Sequence, residues 1–183
     1  MLFTGPRNFV TAVTPPFVAE EDAGIRTTSA VLVTPDDRYL VQLRDNNPEI
    51  SFPGFLCLFG GALEPWEGLE TGLRRELDEE LEMEVAAGDI SYFSQFVFDA
   101  VYADGGIRQR YYFEVLIAPD VIDTLVLHEG ADMKLMTADD IKEESFRFVP
   151  YDFCILSLHM LLWREDGRSL GAGERVILGS PQS

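Results

Sequence analysis

The run GGALEPWEGLETGLRRELDEELEM, Gly60 to Met83, constrains this chain more than any other stretch. Leu69, Leu73, Leu77 and Leu81 recur every four residues, which predicts an amphipathic helix starting near Glu67 or Gly68 whose apolar stripe needs a surface to cover. The other side carries Glu76, Asp78, Glu79, Glu80 and Glu82, with only Arg74 and Arg75 opposing them. Residues three and four apart share a helix face, so Glu76, Glu79 and Glu80 project together, at a cost of about a few tenths of a kcal/mol per like-charged pair. A solvated acidic face is the ordinary explanation of such a cluster. The specific alternative is a hard divalent cation, which takes oxygen ligands and keeps waters that phosphates can replace. The preceding Gly60-Gly61 lets backbone approach a ligand closely, and Arg75 can fix a carboxylate with a bidentate contact.

Around this helix the pattern changes to strands. SAVLVTPDDRYLVQLRD predicts a hairpin at roughly 29–34 and 39–44, turning at the Pro-Asp-Asp segment. FLCLF reads as a short strand after a turn-rich loop. SYFSQFVFDAVY and IRQRYYFEVLIA flank ADGG as a second hairpin, and ADMKLMT is a further strand. ADDIKEE reads as a short helix with Thr137 or Asp139 near its cap, and VPYDFCILSLHMLLWRE as a long one with Pro150 in its first turn. The 183 residues, 46% of them apolar, suffice for one domain with a core. The expected class is α/β (α+β), an α/β/α sandwich with a mixed sheet between helices. Residues 1–27 are expected to form an arm, 28–164 the domain and 165–183 a tail, in which ERVIL is a candidate edge strand.

Fourteen Lys and Arg against 32 Asp and Glu give a net charge of −18. That excludes a nucleic acid polymer and an anionic membrane as partners, since both need clustered cations. It also means that an anionic substrate must be met by a metal or by local arginines. Cys57 and Cys154 lack metal-type spacing and are expected as buried free thiols. No basic-then-apolar leader opens the chain, and FCILSLHMLLW is too short to span a bilayer, so a cytoplasmic protein is expected.

The acidic segment resembles the Nudix box. Gly61 opens it, Glu67 follows after five residues, and Arg75-Glu76 after seven more; Leu77, Glu79, Glu80 and Met83 then fall in register, while Glu82 stands where the family has glycine. The resemblance implies the Nudix fold and hydrolysis of a nucleoside diphosphate linked to another group, by water attack at phosphorus with Mg²⁺ (Mn²⁺ as a substitute). By position, Glu76, Glu79, Glu80 and the carbonyl of Gly60 would hold the metal, and Arg75 would pair with Glu67 to hold the loop against the helix. The glycine replaced by Glu82 ordinarily lets the chain leave the helix in a left-handed conformation, so the departure bears on where the helix ends and removes no ligand.

The Glu129-Gly130 pair is similar to one that supplies a catalytic or metal-binding glutamate in several family members, and it makes Glu129 the candidate base, with Glu114 in reserve. His128 is a base by type only. Arg44, Arg108 and Arg110 are candidates for phosphate contacts and Trp66 for stacking on a base or sugar. The partner implied is a nucleotide-type small molecule; homodimers are common in the family. A catalytically silent Nudix-fold sensor is the alternative, though such modules usually lack a box glutamate and this chain keeps all of them. An isoprenoid diphosphate isomerase would need a catalytic cysteine and extra histidines that two of each supply poorly.

Overall fold

The computed structural model describes residues 24–100 and 106–165. Everything in it is arranged around β1 (Ile25–Val33). Ala30, Val31, Leu32 and Val33 are fully buried, so both faces of this strand are covered and its apolar residues run on without alternation. It pairs in parallel with β5 (Ile107–Leu116), from Ile25 opposite Arg108 to Val33 opposite Leu116. On its other edge Leu32 and Val33 pair antiparallel with Leu40 and Tyr39 of β2 (Arg38–Leu43). β4 (Ile90–Asp99) lies antiparallel to β5, with a register shift between Tyr92 and Ser94. β2 also pairs with β3 (Leu56–Cys57) and with β6 (Asp132–Thr137), completing a mixed sheet of six strands.

The N-terminal half of β1 finds its second partner in the chain just after β3. Ala30 N–H donates to Phe59 O, Thr28 N–H to Gly61 O, and Leu63 N–H to Arg26 O, each at 2.9 Å. The diglycine segment is thereby stitched to the central strand.

Helices cover both faces, as the sandwich requires. α1 (Leu69–Leu81) sets Leu73, Leu77 and Leu81, each 0% exposed, against Ala30, Leu32 and Phe113. Burial of each contributes about 1.5–3 kcal/mol. After α2 (Pro119–Ile122), a single turn, α3 (Ala138–Glu143) follows β6 with Thr137 as its N-cap in a reciprocal capping box with Asp140. α4 (Pro150–Glu165) packs Ile155, Leu156 and Met160 on the face that carries Val31, Val33 and Tyr112. No helix among the described residues is long and apolar enough to cross a membrane.

Two expectations change, and one element was not anticipated. β1 begins at Ile25, ahead of the boundary expected at 28, because Ile25, Arg26 and Thr27 already pair with β5. Cys57 is buried, but Cys154 is exposed, since α4 turns that position away from the sheet. The four-residue α2 has no periodicity to announce it. The ERVIL segment and residues 1–23 lie outside the described residues.

Beneath α4 a polar chain crosses the core. Tyr39 Oη lies 3.1 Å from His159 Nδ1, and His159 Nε2 lies 2.9 Å from Glu114 Oε2, with His159 at 0% and Glu114 at 5% exposure. Glu114 is therefore committed to holding α4 against the sheet. Replacing it, Glu114→Ala, takes the carboxylate from a buried imidazole and is expected to lower unfolding stability by about 1–3 kcal/mol in urea titrations.

Candidate active site

α1 carries its carboxylates toward the stitched diglycine segment. Gly60 has φ +124°, and a Cβ there would collide with the Thr28 carbonyl, so only glycine allows this close approach to β1. In that position Gly60 N–H donates to Glu80 Oε2 at 3.0 Å. The space beside Gly61 that a side chain would fill is taken by the Glu76 carboxylate.

Arg75 organises the rest. Its Nε donates to Glu67 Oε1 at 3.0 Å and Nη2 to Glu67 Oε2 at 3.1 Å. Nη2 also reaches the Ala62 carbonyl at 3.0 Å, and Nη1 reaches Glu79 Oε2 at 2.9 Å. Glu76 Oε1 lies 3.0 Å from Nη2. One guanidinium fork thus ties the loop to the helix and neutralises part of three carboxylates. The hydrogen bonds from Arg75, and one from the Glu64 N–H, hold the Glu67 carboxyl below its ordinary range, and Glu67 in turn raises Arg75.

The charge that remains is one-sided. Burial pushes Glu80 up to about 7, helped by Glu129 and Glu76 and opposed by the Gly60 N–H and by Arg110. Burial also raises Glu76 against the pull of Arg75, with Glu79 and Glu129 adding to the rise. Glu129, from the loop before β6, is near enough for its charge to act on Glu76 and Glu80. The last turn of α1 contains no basic residue, so this acidic group also sits at the negative end of the helix dipole. Among the described residues, no three His, Cys, Asp or Glu side chains are grouped so as to hold a metal ion as they stand, and Arg75 contacts oxygens of Glu76 and Glu79. The donor set is all oxygen, partly buried and in excess of its cations, which is the chemistry that suits a hard divalent ion.

Beside this group opens a cavity of about 620 Å³, whose walls include Thr27, Phe52, Phe98, Arg108, Arg110 and Tyr151. Phe98 and Tyr151 stack with ring centres 5.1 Å apart, and the Arg110 guanidinium lies 5.0 Å from the centre of the Tyr151 ring. Arg110 Nε lies 3.3 Å from Oδ1 of Asp152, which is 0% exposed. Asp152 also accepts from Leu58 N–H and Tyr112 Oη, both at 3.1 Å. Burial works most strongly against the charge on Arg110, but Asp152, with smaller contributions from its other neighbours, keeps the guanidinium ionised. A smaller cavity lined by Gln42, Arg44 and Glu129 shares Ile50 with the one of about 620 Å³, which makes Glu129 a neighbour of the arginines.

The residues singled out from sequence thus separate. Gly60, Glu67, Arg75, Glu76, Glu79 and Glu80 come together, and the loop carrying Glu129 is bonded to the last turn of the same helix. Arg108 and Arg110 line the large cavity and Arg44 the small one, its Nε donating to Ser51 O at 3.0 Å. Trp66 is 99% exposed with φ 70° and is not among the lining residues. Glu114 sits in the polar chain under α4. Sequence reasoning passed over Asp152 and Tyr151; an acid two residues after the proline that opens a helix was the available signal.

A family model described as NUDIX domain matches residues 24–155. The chain belongs to the Nudix family. It is similar to nucleoside triphosphatase NudI of Salmonella arizonae, 29% identical over 142 residues, or 74% of this chain and 94% of the relative. With NudI of Salmonella paratyphi B it shares 36% over 88 residues, 47% of this chain, and spans only 62% of that relative's length. Among solved structures, the MutT protein of Methanosarcina mazei Go1 superposes with a TM-score of 0.62 at 20% identity, over 82% of this chain and all of that one. A bifunctional NMN adenylyltransferase/ADP ribose pyrophosphatase of Francisella tularensis, complexed with AMP and Mn ion, gives 0.59 at 19% over 79% of this Nudix chain and 43% of its own. These two likenesses establish the fold. The family and the NudI relatives make the chain a Nudix pyrophosphohydrolase.

The raised carboxyl makes a pH prediction. Glu80 holds its proton more tightly folded, at about 7, than in the unfolded chain near 4.5. Its contribution to stability is therefore present below the unfolded value and lost as pH rises through about 7. With EDTA present, the melting temperature is expected to fall between pH 5.5 and 8, and Glu80→Gln to flatten that slope; an equal slope in the variant would contradict the assignment.

Proposed function

We propose that this chain hydrolyses a phosphoanhydride bond of a nucleotide, either a nucleoside triphosphate or a nucleoside diphosphate linked to another group, with Mg²⁺ or Mn²⁺ as cofactor. The observation that carries the reading is the set of carboxylates Glu76, Glu79 and Glu80 on one helix, held against the Gly60-Gly61 segment and organised by Arg75, with Arg44, Arg108 and Arg110 lining nearby cavities. The NudI relatives support the triphosphate, and the Francisella neighbour's AMP and manganese support a nucleotide with a divalent cation.

Glu76, Glu79, Glu80 and the Gly60 carbonyl would hold the metal, with Glu79 exchanging its contact with Arg75. When bound, such an ion neutralises phosphate charge and acidifies a water. The protein's own groups do the rest. Arg44 and Arg108 orient the phosphates, and Arg110, fixed by Asp152, presents donors at the cavity wall. Stacked Phe98 and Tyr151 offer an aromatic surface to the part of the substrate that does not react. Glu129 accepts a proton from the attacking water as general base, a role worth about 10²–10⁴-fold. The Arg75–Glu67 contacts keep the loop in place through turnover.

The test is phosphate release from nucleoside triphosphates, nucleotide sugars, ADP-ribose, NADH and dinucleoside polyphosphates, with a coupled phosphatase to reveal monophosphate products. Cleavage is expected with Mg²⁺, to stop with EDTA, and to fall at least about 10²-fold in Glu79→Gln while the melting temperature without metal holds or rises. Nucleotide binding without cleavage across the panel would move the reading to a silent sensing module.

A further inference from the structure

The departure from the family motif at Glu82 has a structural counterpart. Glu82 ends α1 with φ 52° and ψ 35°, a left-handed conformation that favours glycine. Its backbone N–H bonds to Asp78 O at 2.9 Å and that of Met83 to Leu77 O at 3.2 Å, so the helix closes as it would with glycine present. What glycine could not supply is a side chain, and Glu82 Oε1 lies 2.6 Å from His128 Nε2. Those two residues are 46 apart in sequence, and His128 immediately precedes Glu129.

We infer that the Glu82–His128 contact is a tether that sets the position of Glu129, so that Glu82 and His128 are positioning residues for the reaction. This rests on Glu129 being the base, as proposed above. The loop before β6 runs along the last turn of α1: Val126 N–H donates to Leu81 O at 3.1 Å and His128 N–H to Glu80 O at 2.9 Å. Beyond Glu129 the chain is held as tightly. The Glu129 carbonyl accepts from Gln42 Nε2 at 3.0 Å, and Ala131 N–H donates to Leu43 O at 2.8 Å. Gly130, at φ 91°, leaves no room for a side chain, since a Cβ would meet Gln42 Cγ at 2.8 Å and Leu43 O at 2.9 Å. Glu129 thus hangs between an anchor on β2 and an anchor on α1, and the Glu82–His128 contact is the only side-chain member of the α1 anchor among the described hydrogen bonds.

Because both partners are about half exposed, at 58% and 48%, the contact adds little to global stability. Its effect is geometric, because His128 can donate through Nε2 whether its ring is neutral in that tautomer or charged. A base displaced by a fraction of an ångström loses rate without loss of substrate affinity. A glycine at this position would relax the helix end and leave this loop without the Glu82–His128 contact, whereas this chain accepts a strained residue and gains a third anchor.

The experiment measures kcat, KM and melting temperature for the wild type, Glu82→Gly, Glu82→Gln, His128→Ala, the Glu82→Gly/His128→Ala pair and Glu129→Gln, on the best substrate of the panel with Mg²⁺. Glu82→Gly is expected to keep or raise the melting temperature, since it relieves the backbone, while kcat falls about threefold to tenfold at unchanged KM. Glu82→Gln, which still accepts from His128, is expected to retain most of kcat. His128→Ala should match Glu82→Gly, and the pair should be no slower than either alone. A kcat that follows the melting temperature, or single losses that multiply in the pair, would overturn the tether. Glu129→Gln reports separately: if it cleaves like the wild type, the base assignment fails, whatever the Glu82 variants do.

Discussion

The site depends on one guanidinium. Arg75 sits in the middle of α1, yet its hydrogen bonds reach Glu67 and the Ala62 carbonyl in the preceding loop as well as Glu79 on its own helix. Without it, α1 would present Glu76, Glu79 and Glu80 to each other with nothing between them, and the loop would lose the ion pair that Glu67 makes with the helix. With it, repulsion among the carboxylates becomes an attraction that draws the loop inward. Lysine could carry the charge but not the planar fork that serves both Glu67 oxygens.

That local arrangement is fastened to the fold through β1. The segment from Phe59 to Leu63 pairs with β1 along one edge while β5 pairs along the other, so the loop that receives Glu76 and Glu80 is effectively part of the sheet. The apolar stripe of α1 then sets the helix at the distance the core dictates. Carboxylate positions therefore follow from leucine packing, and the two cannot be adjusted independently.

Much of this was legible in the sequence because it is local. The leucine repeat, the diglycine and the spacing of Glu67, Arg75, Glu76, Glu79 and Glu80 all lie within one short run, where helix periodicity converts spacing directly into geometry. What escaped notice joins distant segments. Asp152 reads as a polar residue opening an apolar helix, and nothing local indicates that it receives Leu58, Tyr112 and Arg110. The partner of Glu82 lies far along the chain. Trp66, an aromatic inside the motif, invites a binding role, but the left-handed turn at that residue directs it to solvent. Glu114 and its neighbours follow strand alternation, which gives the face but not the partner His159 across it.

The large cavity has a consequence for how such a chain diversifies. Its walls are drawn from β1, the loop between β2 and β3, β4, β5 and the first turn of α4, whereas most of the carboxylates proposed to act in hydrolysis come from a single helix and the loop before it. On the proposed function, recognition is dispersed and chemistry is concentrated. Substitutions in the β2–β3 loop or at the start of α4 can reshape what the cleft admits while leaving the helix and its stitched loop untouched. A lineage built this way can exchange one phosphorylated metabolite for another by small steps, keeping a working hydrolytic centre throughout.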